Sequence, residues 1–130
     1  MNPEHFLLED IEDEIDFGEG MNGIYAHGDN YQILSQHHGY AQLVANTYGK
    51  GRSVYLAGLP YSPQNCRLLL RTIYWAAGKE SEMKKFYVSN VNTEVAAFEE
   101  VGKIAVINNT TESLSTDLYM HGQKVQTLNL

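Results

Sequence analysis

The chain has 130 residues and a mass of 14.7 kDa, with 43% hydrophobic and 19% charged side chains, a globular composition with room for one domain or two very small ones. Sixteen acids against nine bases give −7, but seven of the acids fall in residues 9–19, where there is no base; the remainder is balanced, which excludes the basic face a general nucleic-acid binder needs. The single cysteine, Cys66, excludes an internal disulfide and any multi-cysteine metal site, no run reaches membrane-spanning length, and the start Met-Asn-Pro-Glu-His-Phe has neither the basic nor the apolar region of a signal peptide, so a cytoplasmic protein is expected.

Residues 1–22 are acidic and poorly patterned and read as a surface loop or extended segment. Glu12, Glu14 and Asp16 alternate there around Ile11 and Ile15, as on the wet face of an edge strand. Ile24–His27 and Tyr31–Ser35 are short apolar runs separated by the turn cluster Gly28-Asp29-Asn30, which predicts a small hairpin. From Gly39 to Tyr48, Ala41, Leu43 and Ala45 alternate with polar or aromatic residues at a period of two. Gly49-Lys50-Gly51 then reverses the chain, the glycines permitting positive φ, into a second strand over Arg52–Leu59.

Pro60-Tyr61-Ser62-Pro63 ends that strand and starts a helix, with Ser62 as N-cap and Pro63 at the first position, where no amide is needed. Over Gln64–Ala77, Leu69, Ile73, Ala76 and Ala77 recur at helical spacing, widened by Leu70 and Tyr74. Gly78 supplies the C-cap, with Lys79 at the negative end. A helical turn around Glu80–Lys85 follows as a connector. Phe86–Ser89, Thr93–Phe98, Lys103–Asn108, Ser115–Met120 and Gln123–Leu128 are five strand-like runs, spaced as in an antiparallel sandwich or meander. The organisation read from the sequence is therefore α+β: residues 1–79 mixed, 80–85 connecting, and 86–130 all-β.

No catalytic constellation stands out. Gly18-Glu19-Gly20-Met21-Asn22-Gly23 matches the dinucleotide fingerprint by letter, yet the preceding acids would repel a pyrophosphate and the following residues resemble a strand rather than a helix, so it reads as a loop. Lys50-Gly51-Arg52 lacks the spacing and hydroxyl of a phosphate-binding loop and reads as a hairpin tip. The acidic run lacks calcium-loop spacing. His5, His27, His37, His38 and His121 form no metal spacing; in a strand, His37 and His38 would point to opposite faces. Cys66 near the helix start reads as a partly buried structural thiol, although a small enzyme using it with His27 or His121 is a conceivable third class. Asn108-Asn109-Thr110-Thr111 contains overlapping glycosylation sequons and reads as an Asn-rich strand end. The nine tyrosines, Tyr40, Tyr48, Tyr55, Tyr61 and Tyr74 among them, suit either sugar stacking or burial at an interface. No catalytic, cofactor-binding or metal-binding residue is therefore assigned.

The run from Tyr48 through Gly58-Leu59-Pro60-Tyr61-Ser62, followed by Asn65, Arg67-Leu68-Leu69 and Trp75-Ala76-Ala77-Gly78, resembles a segment of 1,3-β-galactosyl-N-acetylhexosamine phosphorylases, the lacto-N-biose phosphorylase family. Ser89-Asn90-Val91-Asn92-Thr93-Glu94-Val95 and Val106-Ile107-Asn108-Asn109-Thr110 extend the resemblance over residues 6–112. The glycine hairpin and the helix ending Trp-Ala-Ala-Gly also resemble amidotransferase-like domains of β-galactosidases. The resemblance implies an enzyme that cleaves a β-1,3-galactosyl-N-acetylhexosamine with inorganic phosphate, inverting the anomeric centre to give α-galactose 1-phosphate. It also implies that the chemistry belongs to an N-terminal (β/α) barrel and that this chain corresponds to the end of the α/β domain joined to the start of a β-sandwich. On that footing no family catalytic residue maps here, and a structural or dimerising role is expected, with part of the 69–77 helix or the aromatic hairpin face exposed. The alternative is a free-standing carbohydrate- or protein-binding module.

Overall fold

A computed structural model describes residues 5–130, so the first four residues of the expected leading loop lie outside it. The chain divides into two structural units, one running to Gly78 and the other spanning Lys79–Leu130.

The first unit is built on a three-stranded antiparallel sheet, β1 (Tyr31–His37), β2 (Tyr40–Tyr48) and β3 (Gly51–Leu56), in that spatial order. The β2–β3 hairpin appears where its alternation and glycines place it, although only Gly49 (φ 56°) uses the left-handed region and Gly51 does not. The first hairpin differs from expectation. Ile24–His27 is not a strand, and β1 turns back through His38-Gly39 (φ 49° and 84°), a two-residue reversal that matches the twist of the strands it joins. His38 is thus a turn residue, and its ring meets His37 edge-on at 4.0 Å instead of pointing to the opposite face. Residues 21–24 fill the slot left where β3 ends: Met21 N donates to Ala57 O (3.0 Å), and Ala41 N donates to Ile24 O (2.8 Å).

One face of this sheet, with Leu34, Leu43, Ala45, Val54 and Leu56, meets both the leading segment and the helix. The leading segment is no surface loop. A 3-10 turn over Phe6–Leu8 buries Leu7 and Leu8, and Ile15 and Phe17 join the same core. The alternation around Ile15 is real, but the segment is irregular and pairs with no strand; its backbone needs are met by side chains such as Gln64 and Asn65.

Helix α1 runs over Pro63–Ala76, with Ser62 Oγ accepting from Asn65 N at 3.1 Å and Gly78 at φ 68°. Its apolar stripe lies outward and its polar stripe inward. The buried residues are Asn65, Arg67, Leu68, Arg71, Thr72 and Trp75, whereas Leu69, Leu70 and Ile73 are 44%, 43% and 58% exposed. A polar stripe can face inward because its side-chain donors find acceptors. Asn65 Nδ2 donates to Asp16 O (2.9 Å) and Pro60 O (2.8 Å), Thr72 Oγ1 donates to Leu69 O (2.7 Å), and the two arginines meet acids.

In the second unit a short helix α2 (Glu80–Met83) precedes β4 (Phe86–Val88), β5 (Thr93–Phe98), β6 (Lys103–Asn108), β7 (Ser115–Met120) and β8 (Gln123–Asn129). All five expected strands are present. They form two antiparallel sheets, ordered β4-β7-β8 and β5-β6, so β4 skips the β5–β6 hairpin to reach β7. Thr93 and Thr116 are buried with their hydroxyls 3.1 Å apart, and Asn90 N donates to Thr116 Oγ1 at 3.0 Å. One main helix with antiparallel sheets is an α+β arrangement. Among the described residues no helix is long and apolar enough to cross a membrane.

Candidate functional site

The first unit has an open cleft between its leading segment and the β1–β2 hairpin, made of two adjoining hollows of about 380 and 400 Å³. The leading segment contributes Glu14, Glu19 and Asn22, the hairpin contributes Ser35, His37, Tyr40 and Gln42, and Phe17 is among the apolar lining. Ser35 Oγ lies 3.0 Å from Gln42 Oε1, which directs the remaining valence of that amide to its NH2 end. Tyr40 meets Tyr25 edge-on at 5.4 Å. Lost hydration first, and the neighbouring Tyr40 second, hold the Tyr25 phenol above its ordinary pKa. Carboxylates, amides, an imidazole and a ring are suited to hydrogen-bonding a polyhydroxylated ligand. They do not pair a nucleophile with a base, and a cleft this open does not exclude water.

A second constellation lies on the inward face of α1. Arg71, only 2% exposed, donates from Nε to Asp10 Oδ2 (2.8 Å) and from Nη1 to Phe6 O (3.0 Å), and its Nη2 also meets Asp10 Oδ2. Glu9 Oε2 is 3.4 Å from Arg71 Nη1, Arg67 Nη1 is 3.5 Å from Asp10 Oδ2, and the Arg71 guanidinium sits over the Phe6 ring at 4.7 Å. The cluster fastens the leading segment to α1. Sequence reading missed it, although one signal was present: two arginines one helical turn apart, and a base-free acidic run in need of cations.

The features singled out in sequence are dispersed. In the glycine-rich stretch, a Cβ on Gly20 would fall 2.8 Å from Ala57 O, so this glycine serves close backbone packing and not a phosphate; no helix follows it. Lys50 is an exposed turn residue. Arg52 reaches across to donate to Trp75 O (3.0 Å) and covers the Trp75 ring at 5.0 Å, placing a cation at the negative end of α1. Cys66 is exposed on α1, contrary to the partly buried thiol expected. His5 Nδ1 accepts from Leu7 N, and His121 (φ 51°) forms the β7–β8 turn with Gly122. Among the described residues no three His, Cys, Asp or Glu side chains gather to hold a metal ion. Asn108 Oδ1 accepts from Thr110 N (2.9 Å), an Asx turn ending β6. Tyr48 and Tyr61 are 85% and 88% exposed, and Tyr40 is the one tyrosine that lines the cleft.

Residues 1–81 match the model of the lacto-N-biose phosphorylase central domain, and residues 86–130 match that of the lacto-N-biose phosphorylase C-terminal domain. The chain belongs to the lacto-N-biose phosphorylase family. It is 49% identical over 115 residues to a 1,3-β-galactosyl-N-acetylhexosamine phosphorylase of Lachnoclostridium phytofermentans, covering 88% of this chain and 16% of that protein. A 1,3-β-galactosyl-N-acetylhexosamine phosphorylase of Bifidobacterium longum subsp. longum is 44% identical over 102 residues, 78% of this chain and 14% of its own length. A D-galactosyl-β-1→4-L-rhamnose phosphorylase of L. phytofermentans is 30% identical over 122 residues, 91% of this chain and 17% of its own. The chain therefore spans about one sixth of the curated phosphorylases it matches. The resemblance carried by Gly58–Ser62 and Trp75–Gly78 is that of a true family member.

Proposed function

We propose that this chain is a non-catalytic, structural portion of a lacto-N-biose phosphorylase-type enzyme, whose reaction is the phosphorolysis of a β-1,3-galactosyl-N-acetylhexosamine to α-galactose 1-phosphate and the free N-acetylhexosamine. Its task is to support the domain that binds substrate and to contribute to self-association, in the cytoplasm. On this reading its first unit is the end of an amidotransferase-like α/β domain and its second a sandwich-like one. The observation that carries the proposal is the pair of family models in order, central then C-terminal, over a segment equal to 16% of a relative. A nucleophile–base pair in an enclosed pocket would argue otherwise, and the cleft around Glu14 and Gln42 is open.

The test has two arms. The chain alone, given lacto-N-biose and inorganic phosphate, is expected to release no galactose 1-phosphate. Grafted in place of the matching 115 residues of the L. phytofermentans relative, it is expected to leave phosphorolysis intact. Turnover by the chain alone, or a folded but inactive graft, refutes the proposal. The cleft favours one alternative, a carbohydrate-binding module. Saturable binding of lacto-N-biose or galacto-N-biose that is lost in Gln42→Ala would establish that alternative.

A further inference from the structure

We propose that Asn22-Gly23 is a self-modifying site, at which the Asn22 amide is lost as ammonia and a carboxylate, α- or β-linked, is left in the lining of the cleft. Of the ten asparagines only Asn22 is followed by glycine. Both reacting groups are open. Asn22 and Gly23 are exposed, and Asn22 lines the cleft together with Glu14 and Glu19. Among the described residues none hydrogen-bonds the Asn22 side chain and none accepts from Gly23 N. Gly23 has φ 79° and no atom within 4 Å of the place a Cβ would take, so nothing shields its nitrogen on that side.

The step balances with water as the one co-reactant. Gly23 N attacks Asn22 Cγ; the N–Cγ bond forms, the Cγ–Nδ2 bond breaks, and ammonia departs with the hydrogen that Gly23 N gives up. Water then opens the resulting cyclic imide at either carbonyl. Opening at Cγ leaves an ordinary aspartyl link. Opening at the main-chain carbonyl carries the chain through Cβ and Cγ, a path longer by a single carbon.

Every other asparagine precedes a residue that has a Cβ, and several are held besides. Asn65 is 2% exposed, with Nδ2 donating to Asp16 O and Pro60 O. Asn108 is tied through Nδ2 to Glu112 O and through Oδ1 to Thr110 N. Asn30 is exposed like Asn22, but its successor is Tyr31, which makes it the internal comparison. The change bears on the cleft wall. That stretch is anchored on either side of the site, Met21 N donating to Ala57 O (3.0 Å) and Ala41 N to Ile24 O (2.8 Å). A longer path between fixed ends strains both bonds, and the new carboxylate joins Glu14 and Glu19, so the wall loosens as the chain ages.

The whole chain is held in warm, mildly alkaline buffer, sampled over days, and mapped by peptide mass spectrometry with an isoaspartyl methyltransferase assay. The amide-to-acid mass gain is expected at residue 22, about tenfold faster than at Asn30. Because the site is open in the native fold, its rate is expected within about tenfold of that in the urea-unfolded chain. Asn22→Gln alters an exposed position, so the circular dichroism is retained while the methyltransferase signal is lost. Amide exchange at Ala41 is expected to quicken severalfold in the aged chain and not in Asn22→Asp, which adds the charge without the extra carbon. A folded chain that converts more slowly than that margin, or no faster at residue 22 than at Asn30, overturns the inference. So does a methyltransferase signal that persists in Asn22→Gln. Unchanged Ala41 exchange in the isoaspartyl-bearing chain overturns the loosening of the wall.

Discussion

Removing the Asp10 carboxylate tests whether the buried ionic cluster holds the first unit together. Asp10→Ala leaves Arg71 with 2% of its surface exposed and without its main counter-charge. A unit pair at about 4 Å in an effective dielectric of about 20 is worth roughly 4 kcal/mol. The Phe6 carbonyl at 3.0 Å and Glu9 at 3.4 Å remain on the guanidinium and recover part of that. The expected cost is about 3 kcal/mol, at the low end of what orphaning one partner of a buried pair produces. This is a little over two decades in the unfolding equilibrium, at about 1.4 kcal/mol per decade. Trp75, the single tryptophan, lies buried in the same unit beside Arg52, so its fluorescence in a urea titration follows this unit. Asp10→Leu combined with Arg71→Met should cost less than the sum of the two single changes, because no charge is then stranded. Glu12→Gln, an exposed member of the same run, should move the midpoint by less than about 0.5 kcal/mol. A cost below about 1 kcal/mol for Asp10→Ala would reduce the cluster to an ordinary exposed ion pair and refute the reasoning.

Gly58→Ala would drive a Cβ into Phe17 O, with Gly20 Cα 3.1 Å away; since backbone lies on both sides, a loss of about 3 kcal/mol is expected by urea titration. Ser62→Ala removes the 3.1 Å cap on Asn65 N and should cost about 1 kcal/mol in thermal unfolding, with Ser62→Asp restoring it. In the second unit, the Thr127 hydroxyl first and Lys124 next hold the Asp117 carboxyl below its ordinary pKa. A depressed folded pKa means this contribution is complete above the ordinary aspartate range and fades as pH falls through the lowered value. Carbon-detected titration should therefore show the Asp117 midpoint rise in Thr127→Val; an unmoved midpoint would refute the assignment.

Legibility followed locality. Both ends of α1 could be read, because Ser62, Pro63 and Gly78 act on amides and carbonyls within a few residues of themselves. The five strands of the second unit were equally plain, since Asn, Gly and Ser punctuate them. In sequence Gly28-Asp29-Asn30 is the stronger breaker and suggests Ile24–His27 as the partner of β1 in place of β2, while His38 gives no hint that it will adopt φ 49°. Which stripe of α1 turns inward depends on a non-local fact. An inward polar stripe is acceptable only if partners await it, and those partners, Asp10 and Asp16, lie about 50 to 60 residues earlier. The cleft was unreadable for the same cause, since Glu14 and Gln42 are brought together by packing and not by spacing.

Among the described residues, four of the nine core side chains, Leu7, Leu8, Ile15 and Phe17, precede the sheet in the chain, whereas Leu68 and Trp75 follow it. Within this unit, those side chains reach their places only once the sheet and the helix that follow them in the chain are there to receive them. Folding of this half is consequently long-range in character, and its run of acids has a further use before docking, keeping the segment from sticking to its neighbours.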